Sequence, residues 1–311
     1  MIRAVTVAVS MCLVFLSWST TATSQDGPEA QVASDPRVLD AVNAWTVWVE
    51  YQLAINNVPG ASVAVVHDQT LLMAKGLGWA NPATGRPATP DTIYSICSNS
   101  KLFTSIGVMQ LRLRGNDGDE VLRAATLREM HRVHWVDPDW DTTWGLGFVV
   151  RQLDDYTLIE HGGACPGYYS QVTVEPKSEL GVIILSNAIG TEVDHYVEKA
   201  IELIAPAVEE AKGDPSGASE RDSNLDRYVG IYDSIWGQEA VVSWEDGLAM
   251  LSLRTRNPKD NLEKLQKVGD HTFRRVRDDD ESLGETVIFD VGDDGTATRF
   301  KQHSNWYVRV K

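Results

Sequence analysis

Two periodicities alternate along this chain. Apolar positions predict a helix from about Pro36 to Asn56, then strands near Ala61 to His67 and Thr70 to Gly76. Leu102, Phe103, Ile106, Val108, Met109, Leu111 and Leu113 make the next segment apolar on nearly all sides before Gly115 stops it, which is the pattern of a buried helix. Gln171 to Val174 and Gly181 to Asn187 flank a polar Pro176-Lys177-Ser178-Glu179 turn and predict a hairpin. A helix from about Val193 to Glu210 follows. Helices packed on an antiparallel sheet, an α+β arrangement, are expected.

Beyond that helix the pattern changes. Ala211 to Glu220 is small and polar without periodicity, the composition of a linker. From Leu225 onwards short alternating segments are separated by turns such as Asp246-Gly247 and Asp293-Asp294-Gly295, so a small β-sandwich or barrel is expected. At the other end Arg3 precedes an apolar run from Ala4 to Phe15, and Ala22-Thr23-Ser24 offers small residues for cleavage. The expected organisation is a signal peptide over 1–24, an α+β domain over 25–210, a linker over 211–221 and a β domain over 222–311.

Candidate chemistry sits at two places. Ser98 and Lys101 stand three residues apart at the predicted start of the apolar helix, so one turn brings the lysine amine over the serine hydroxyl. A lysine kept partly neutral can take the serine proton. By itself Ser-x-x-Lys arises by chance roughly once in a chain of this length. The second place is His161-Gly162-Gly163-Ala164, at the start of the predicted hairpin. Its paired glycines let a substrate backbone lie against a strand edge, and the Ala164 amide is then free to face a developing oxyanion.

Together these segments resemble the serine β-lactamase and penicillin-binding-protein superfamily, in particular its class C β-lactamase, D-alanyl-D-alanine carboxypeptidase and esterase branch. Ile96-Cys97-Ser98-Asn99-Ser100-Lys101 is similar to that family's Ser-x-x-Lys nucleophile motif, and His161-Gly162-Gly163 to its third motif, Lys-Thr-Gly or His-x-Gly. Val58 to Val66 and Gly76 to Ala80 resemble its opening strands, and Trp144 to Phe148 the strand segment before the third motif. The resemblance implies an acyl-transfer serine hydrolase without a cofactor. Ser98 would be the nucleophile, Lys101 the base, and His161 a residue that orients substrate or assists proton movement. Gly162, Gly163 and Ala164 would line the oxyanion and substrate site. D-amino-acid peptides, small esters or β-lactams are the implied substrates. The segment after the linker, through Leu225 to Tyr232, Thr272 to Arg274 and Val287 to Phe289, resembles the lipocalin-like barrel on exported relatives.

Between the matching pieces the chain departs from the family. Asn116-Asp117-Gly118 makes a turn, and Thr126 to Met130 already resembles the stretch close to the third motif. The helical subdomain is missing, and with it the Tyr-x-Asn or Ser-x-Asn second motif, whose tyrosine assists proton transfer. An inactivated homologue, a natural minimal variant and a gene record that lost an internal segment all fit; the intact flanking regions favour the last. The expected fold is therefore a β-lactamase-like, internally truncated α+β domain followed by an all-β lipocalin-like barrel. The rival to a serine hydrolase is a non-catalytic cell-envelope binding protein derived from the same family.

Charge and cysteine content narrow the partners. With 44 acidic against 28 basic residues and a net charge of −16, nucleic acid is an improbable partner. Export to the periplasm or beyond is expected, with no membrane span after the leader. Cys97 and Cys165 remain after cleavage; a bridge between them is conceivable, and two small packing residues are the simpler expectation. Asp137-Pro138-Asp139-Trp140-Asp141 has Thr142 where a calcium loop requires glycine. His131-Arg132-Val133-His134 lacks zinc-protease spacing, so no metal site is expected. The sequence sets no oligomeric state.

Overall fold

The computed structural model of the protein describes residues 28–112, 122–138, 140–217, 222–277 and 279–311. The expected leader, the turn at Asn116-Asp117-Gly118 and residues 218–221 of the expected linker lie outside these. Helices α1 (Pro28–Ser34) and α2 (Pro36–Ile55) come first. Asp35 caps α2 by accepting the Arg37 N–H at 2.9 Å, with Pro36 in the first turn where its missing N–H costs nothing. Strands β1 (Gly60–His67), β2 (Thr70–Asn81) and β3 (Arg86–Pro87) follow, then a 3-10 turn over Cys97–Asn99 that runs into α3 (Ser100–Arg112). After α4 (Ala124–His131) come β4 (Trp135–Val136), β5 (Thr143–Trp144), β6 (Val149–Leu153), β7 (Tyr156–Cys165), β8 (Tyr168–Glu175), β9 (Leu180–Ser186) and α5 (Val193–Gly213). The strands form one antiparallel sheet in the order β3-β2-β1-β9-β8-β7-β6-β5-β4.

Helices α2 and α5 cover one face of this sheet. Trp45, Trp48, Tyr196, Ile201 and Ile204 pack on Val63, Val65, Leu158, Val182 and Ile184, and all are buried. The two indole N–H groups stay satisfied inside this core, Trp45 donating to the Tyr196 carbonyl at 2.8 Å and Trp48 to the Thr255 carbonyl at 2.9 Å.

The opposite face departs from expectation. The apolar pattern of α3 predicts a buried helix; Leu102 is buried, but Phe103 is 69% and Val108 56% exposed. The sequence from Arg112 to Ala124 has no length for the helical subdomain that covers this helix in the resembled family, and among the described residues no second layer covers Phe103 and Val108. The strand expected over Trp144 to Phe148 is also shorter, ending at Trp144 before a bend.

The C-terminal region is a closed barrel of β10 (Gly230–Ser234), β11 (Gly237–Trp244), β12 (Gly247–Ser252), β13 (Leu262–Gly269), β14 (Thr272–Val276), β15 (Leu283–Val291), β16 (Ala297–Gln302) and β17 (Asn305–Arg309). Closure comes from pairing of Tyr232 with Arg309 and Asp233 with Val308. Aromatic rings pack its interior: Phe300 stacks on Tyr307 at 4.5 Å, and Tyr232 meets Phe300 edge-on at 5.0 Å. Outward-facing Ala240, Val242, Ala249 and Leu251, with Leu253, join the α2–α5 core. Gln52 on α2 donates to the Leu253 carbonyl at 2.7 Å. Even the stretch expected as linker is held, since Arg37 reaches the Asp214 carbonyl at 2.8 Å and Gln31 the Pro215 carbonyl at 3.0 Å. No helix among the described residues is long and apolar enough to cross a membrane.

Two outcomes are expected. The 222–311 segment expressed alone gives a β-rich circular dichroism spectrum and a cooperative melt, because its aromatic core is its own. Its midpoint lies below that of the whole chain, because the β11–β12 face loses its cover. A random-coil spectrum would end the idea of an independent barrel.

The second outcome concerns His67, at the end of β1, which is fully buried with no hydrogen-bond partner for either ring nitrogen among the described residues. Burial pushes its pKa below the ordinary histidine value, Lys212 adds to the effect, and Glu179 and Asp68 oppose it. The unfolded chain takes up this proton first as pH falls. Stability is therefore complete above about pH 6.5 and declines below it, by up to about 1.4 kcal/mol per pH unit for this one group. His131, also pushed down by burial, contributes in the same sense. Denaturant titrations from pH 7.5 to 5 should show His67→Phe with a shallower decline than the parent.

Candidate active site

The site is built where a turn meets a bare stretch of strand. Cys97 adopts a left-handed conformation, with φ of 52°, and the chain turns through Ser98 and Asn99 into α3. The Ile96 carbonyl accepts the Asn99 N–H at 3.1 Å and the buried Ser170 hydroxyl at 3.0 Å, while Asn99 Nδ2 donates to Ser170 Oγ at 2.8 Å. These bonds fix the turn on β7 and β8. A Cβ at Gly163 would lie 2.2 Å from the Ile96 oxygen and 2.4 Å from Ser170 Oγ, so the turn can dock only because residue 163 has no side chain. On the docked turn, Lys101 Nζ donates to Ser98 Oγ at 2.7 Å.

A disulfide between Cys97 and Cys165 adds a covalent tie, with Cα atoms 5.8 Å apart. This corrects the expectation of two packing residues. The cysteines lie 68 positions apart in sequence, and only the docking of the turn on the end of β7 makes them neighbours. The bridge brackets the candidate chemistry, since Cys97 precedes Ser98 and Cys165 follows Ala164.

Strand β6 pairs with β7 only over residues 156–160, so one edge of β7 is open from His161 to Cys165. A cleft of about 640 Å³ wraps over that edge. The register places Gly163 opposite Ser170 on the side of the turn, and Gly162 opposite Gln171 on the side of α5. Ser98, Lys101, Trp144 and His161 thus line one side of the edge; Tyr169, Gln171, Thr191 and Asp194 line the other. All six residues singled out from the sequence, Ser98, Lys101, His161, Gly162, Gly163 and Ala164, meet in this one cleft.

His161 is 7% exposed, and its Nδ1 lies 2.6 Å from the Gly162 carbonyl. A carbonyl only accepts, so Nδ1 carries a hydrogen and Nε2 is the nitrogen left to accept one. Trp144 packs edge-on against the imidazole at 6.2 Å. Beneath the site, Glu160 is buried and held by Arg151 at 2.9 Å and by the Thr173 hydroxyl at 3.0 Å, and Arg151 also reaches Glu198 on α5. The Asp137 carboxylate accepts from the indoles of Trp135 and Trp144, at 3.0 and 3.1 Å. Among the described residues no group of three or more His, Cys, Asp or Glu is placed to hold a metal.

Several residues of the site and its cleft carry no signal in the sequence pattern. Asn99 occupies a variable position of the nucleophile motif, and Ser170 faces Gly163 only once the Pro166-Gly167 turn sets the hairpin register. Counting outward from that turn would have found Ser170. Nothing local marks Thr191, just before α5, or Asp194 in its first turn.

An antiparallel sheet backed by two long helices, with a Ser-x-x-Lys turn docked on an open strand edge, defines a β-lactamase-like scaffold. The chain belongs to the Beta-lactamase family, whose model matches residues 47–124 and 112–205. The two matched segments overlap over residues 112–124, where the sequence has no length for the helical subdomain. Protein flp of Staphylococcus aureus (strain N315) is 33% identical over 75 residues, 24% of this chain and 15% of that protein. Its counterpart in strain NCTC 8325 / PS 47 is 33% identical over 67 residues, 22% of this chain and 14% of that protein. The chain thus spans only about a seventh of the length of these relatives. Among solved structures, the octameric penicillin-binding protein homologue from Pyrococcus abyssi aligns over 86% of this chain and 100% of its own, with 12% identity and a TM-score of 0.48. A class C beta lactamase from Rhodobacter sphaeroides aligns over 54% of this chain and 99% of its own, with 11% identity and a TM-score of 0.38.

The two glycines should respond differently to substitution. Gly163→Ala forces a methyl group against backbone and should destabilise the fold by about 2 to 3 kcal/mol. Gly162→Ala meets the movable end of Gln171 at 2.9 Å and should cost well under half of that. Urea denaturation of the two variants checks the order, and equal losses would mean that the turn does not depend on a bare residue 163.

Proposed function

We propose that this protein is an exported serine hydrolase that works by acyl transfer through Ser98. The observation that carries the reading is the 2.7 Å contact of Lys101 Nζ with Ser98 Oγ, at the mouth of a cleft that also holds His161 and Ala164. In the proposed cycle the Ser98 oxygen attacks a substrate carbonyl as Lys101 takes its proton. The Ser98 and Ala164 amides steady the oxyanion. His161, held through Nδ1, offers Nε2 to orient the substrate or accept a proton. Return of the proton to the leaving group yields an acyl-enzyme that water then cleaves. Esters, D-amino-acid peptides and β-lactams all contain a carbonyl that this sequence of steps can use. The Cys97–Cys165 bridge supports export, since such bonds persist in oxidising compartments.

Turnover should be slow. No tyrosine lines the Ser98 side of the cleft among the described residues, and Tyr169 faces the other side of β7. Loss of one acid–base group costs about 10²- to 10⁴-fold in rate, or about 3 to 5 kcal/mol of barrier. That same lack favours the second reading, a non-catalytic cell-envelope binding protein.

The expected outcome is slow labelling of Ser98 by a fluorophosphonate or penicillin probe, abolished in Ser98→Ala and much reduced in Lys101→Ala. Little hydrolysis of nitrocefin or p-nitrophenyl esters should accompany it. Mass spectrometry of the labelled peptide locates the adduct. Absence of label at Ser98 would leave the binding-protein reading, and rapid hydrolysis would mean that the missing tyrosine motif is dispensable.

A further inference from the structure

Among the described residues lining the cleft, Lys101 is the one Lys or Arg and Asp194 the one carboxylate. They stand on opposite sides of the open β7 edge. The Nζ of Lys101 is engaged with Ser98 Oγ and cannot also hold a charged group at the far end of a substrate. The Nδ1 hydrogen of His161 is committed to the Gly162 carbonyl. A carboxylate at the far end of a substrate would therefore find no cation, and would meet Asp194.

Asp194 itself is exposed, in the first turn of α5, and has no ion-pair partner among the described residues. Its neighbours are occupied: Glu192 pairs with Arg256 at 3.1 Å, and His195 Nε2 lies 3.1 Å from the Arg256 carbonyl. Tyr169 contributes an aromatic ring and Gln171 an amide to the same side of the cleft as Asp194. A carboxylate next to an aromatic ring is a favourable setting for an ammonium group, through charge pairing and the ring quadrupole.

We propose that the side of the cleft formed by Tyr169, Gln171 and Asp194 is a subsite for a primary ammonium group. The preferred acyl donors are then amine-bearing esters or amides rather than substrates with a free carboxylate. This selectivity rests on the reading of Ser98 as nucleophile, whereas the subsite exists without it. A substrate laid across the Gly162–Ala164 edge, its carbonyl at Ser98, carries its far end to Asp194.

Three fluorophosphonates with tails of equal length, ending in ammonium, hydroxyl or carboxylate, test the selectivity through their rates of labelling at Ser98. The same tails as unreactive amides, titrated onto Ser98→Ala by calorimetry, test the subsite without any chemistry. The ammonium tail should exceed the carboxylate tail about tenfold in both. Asp194→Asn should bring that ratio close to one, and Asp194→Lys should invert it. The protein's overall acidity cannot mimic this, because Asp194→Asn changes the net charge by a single unit. If Asp194 served only the α5 terminus, its substitution would lower Tm and leave the ratios untouched, which overturns the proposal. Equal labelling and equal binding of all three tails do the same. Selective amine binding without Ser98 labelling upholds the subsite and removes the nucleophile.

Discussion

The arrangement of the site depends on one close approach, the packing of the Ile96 carbonyl against the α-carbon of Gly163. The turn that carries Ser98 has no stable place of its own, because three residues of 3-10 geometry make few bonds internally. It is held by what it touches: a bare strand residue, the Ser170 hydroxyl, the Asn99 amide and the Cys97–Cys165 bridge. Displacement of the turn would carry Ser98 and Lys101 away from the open edge of β7 together. The position of Ser98 is thus set by β7 and β8 as much as by α3.

The sheet is supported unequally. Its α2–α5 face belongs to a hydrophobic core that continues into the outer wall of the barrel, so two regions separable in sequence share one interior. Inside the barrel, aromatic rings pack with aliphatic side chains into a core of its own. The other face carries α3 and α4, and Phe103 and Val108 are exposed among the described residues. The candidate chemistry lies at the border between these faces, anchored from the well-packed side through Glu160, Arg151 and Glu198.

The sequence by itself determined the elements and the candidate Ser98–Lys101 pair. Helical and alternating periodicities are local properties, so α2, α5, the β8–β9 hairpin and the run of barrel strands could be read directly. The Ser98–Lys101 pair is likewise local, one helical turn apart, and His161 to Ala164 follow one another along a strand. Only the tertiary structure decided which apolar faces found partners. The composition of the α3 segment predicts burial, but burial needs a covering layer and none lies over Phe103 and Val108 among the described residues. Joining Cys97 to Cys165, setting Asn99 on Ser170 and bringing Asp194 round the edge of β7 all required contacts between positions far apart in sequence. Periodicity carries no record of such distances, because they are fixed by strand order, hairpin register and the absence of a side chain at residue 163.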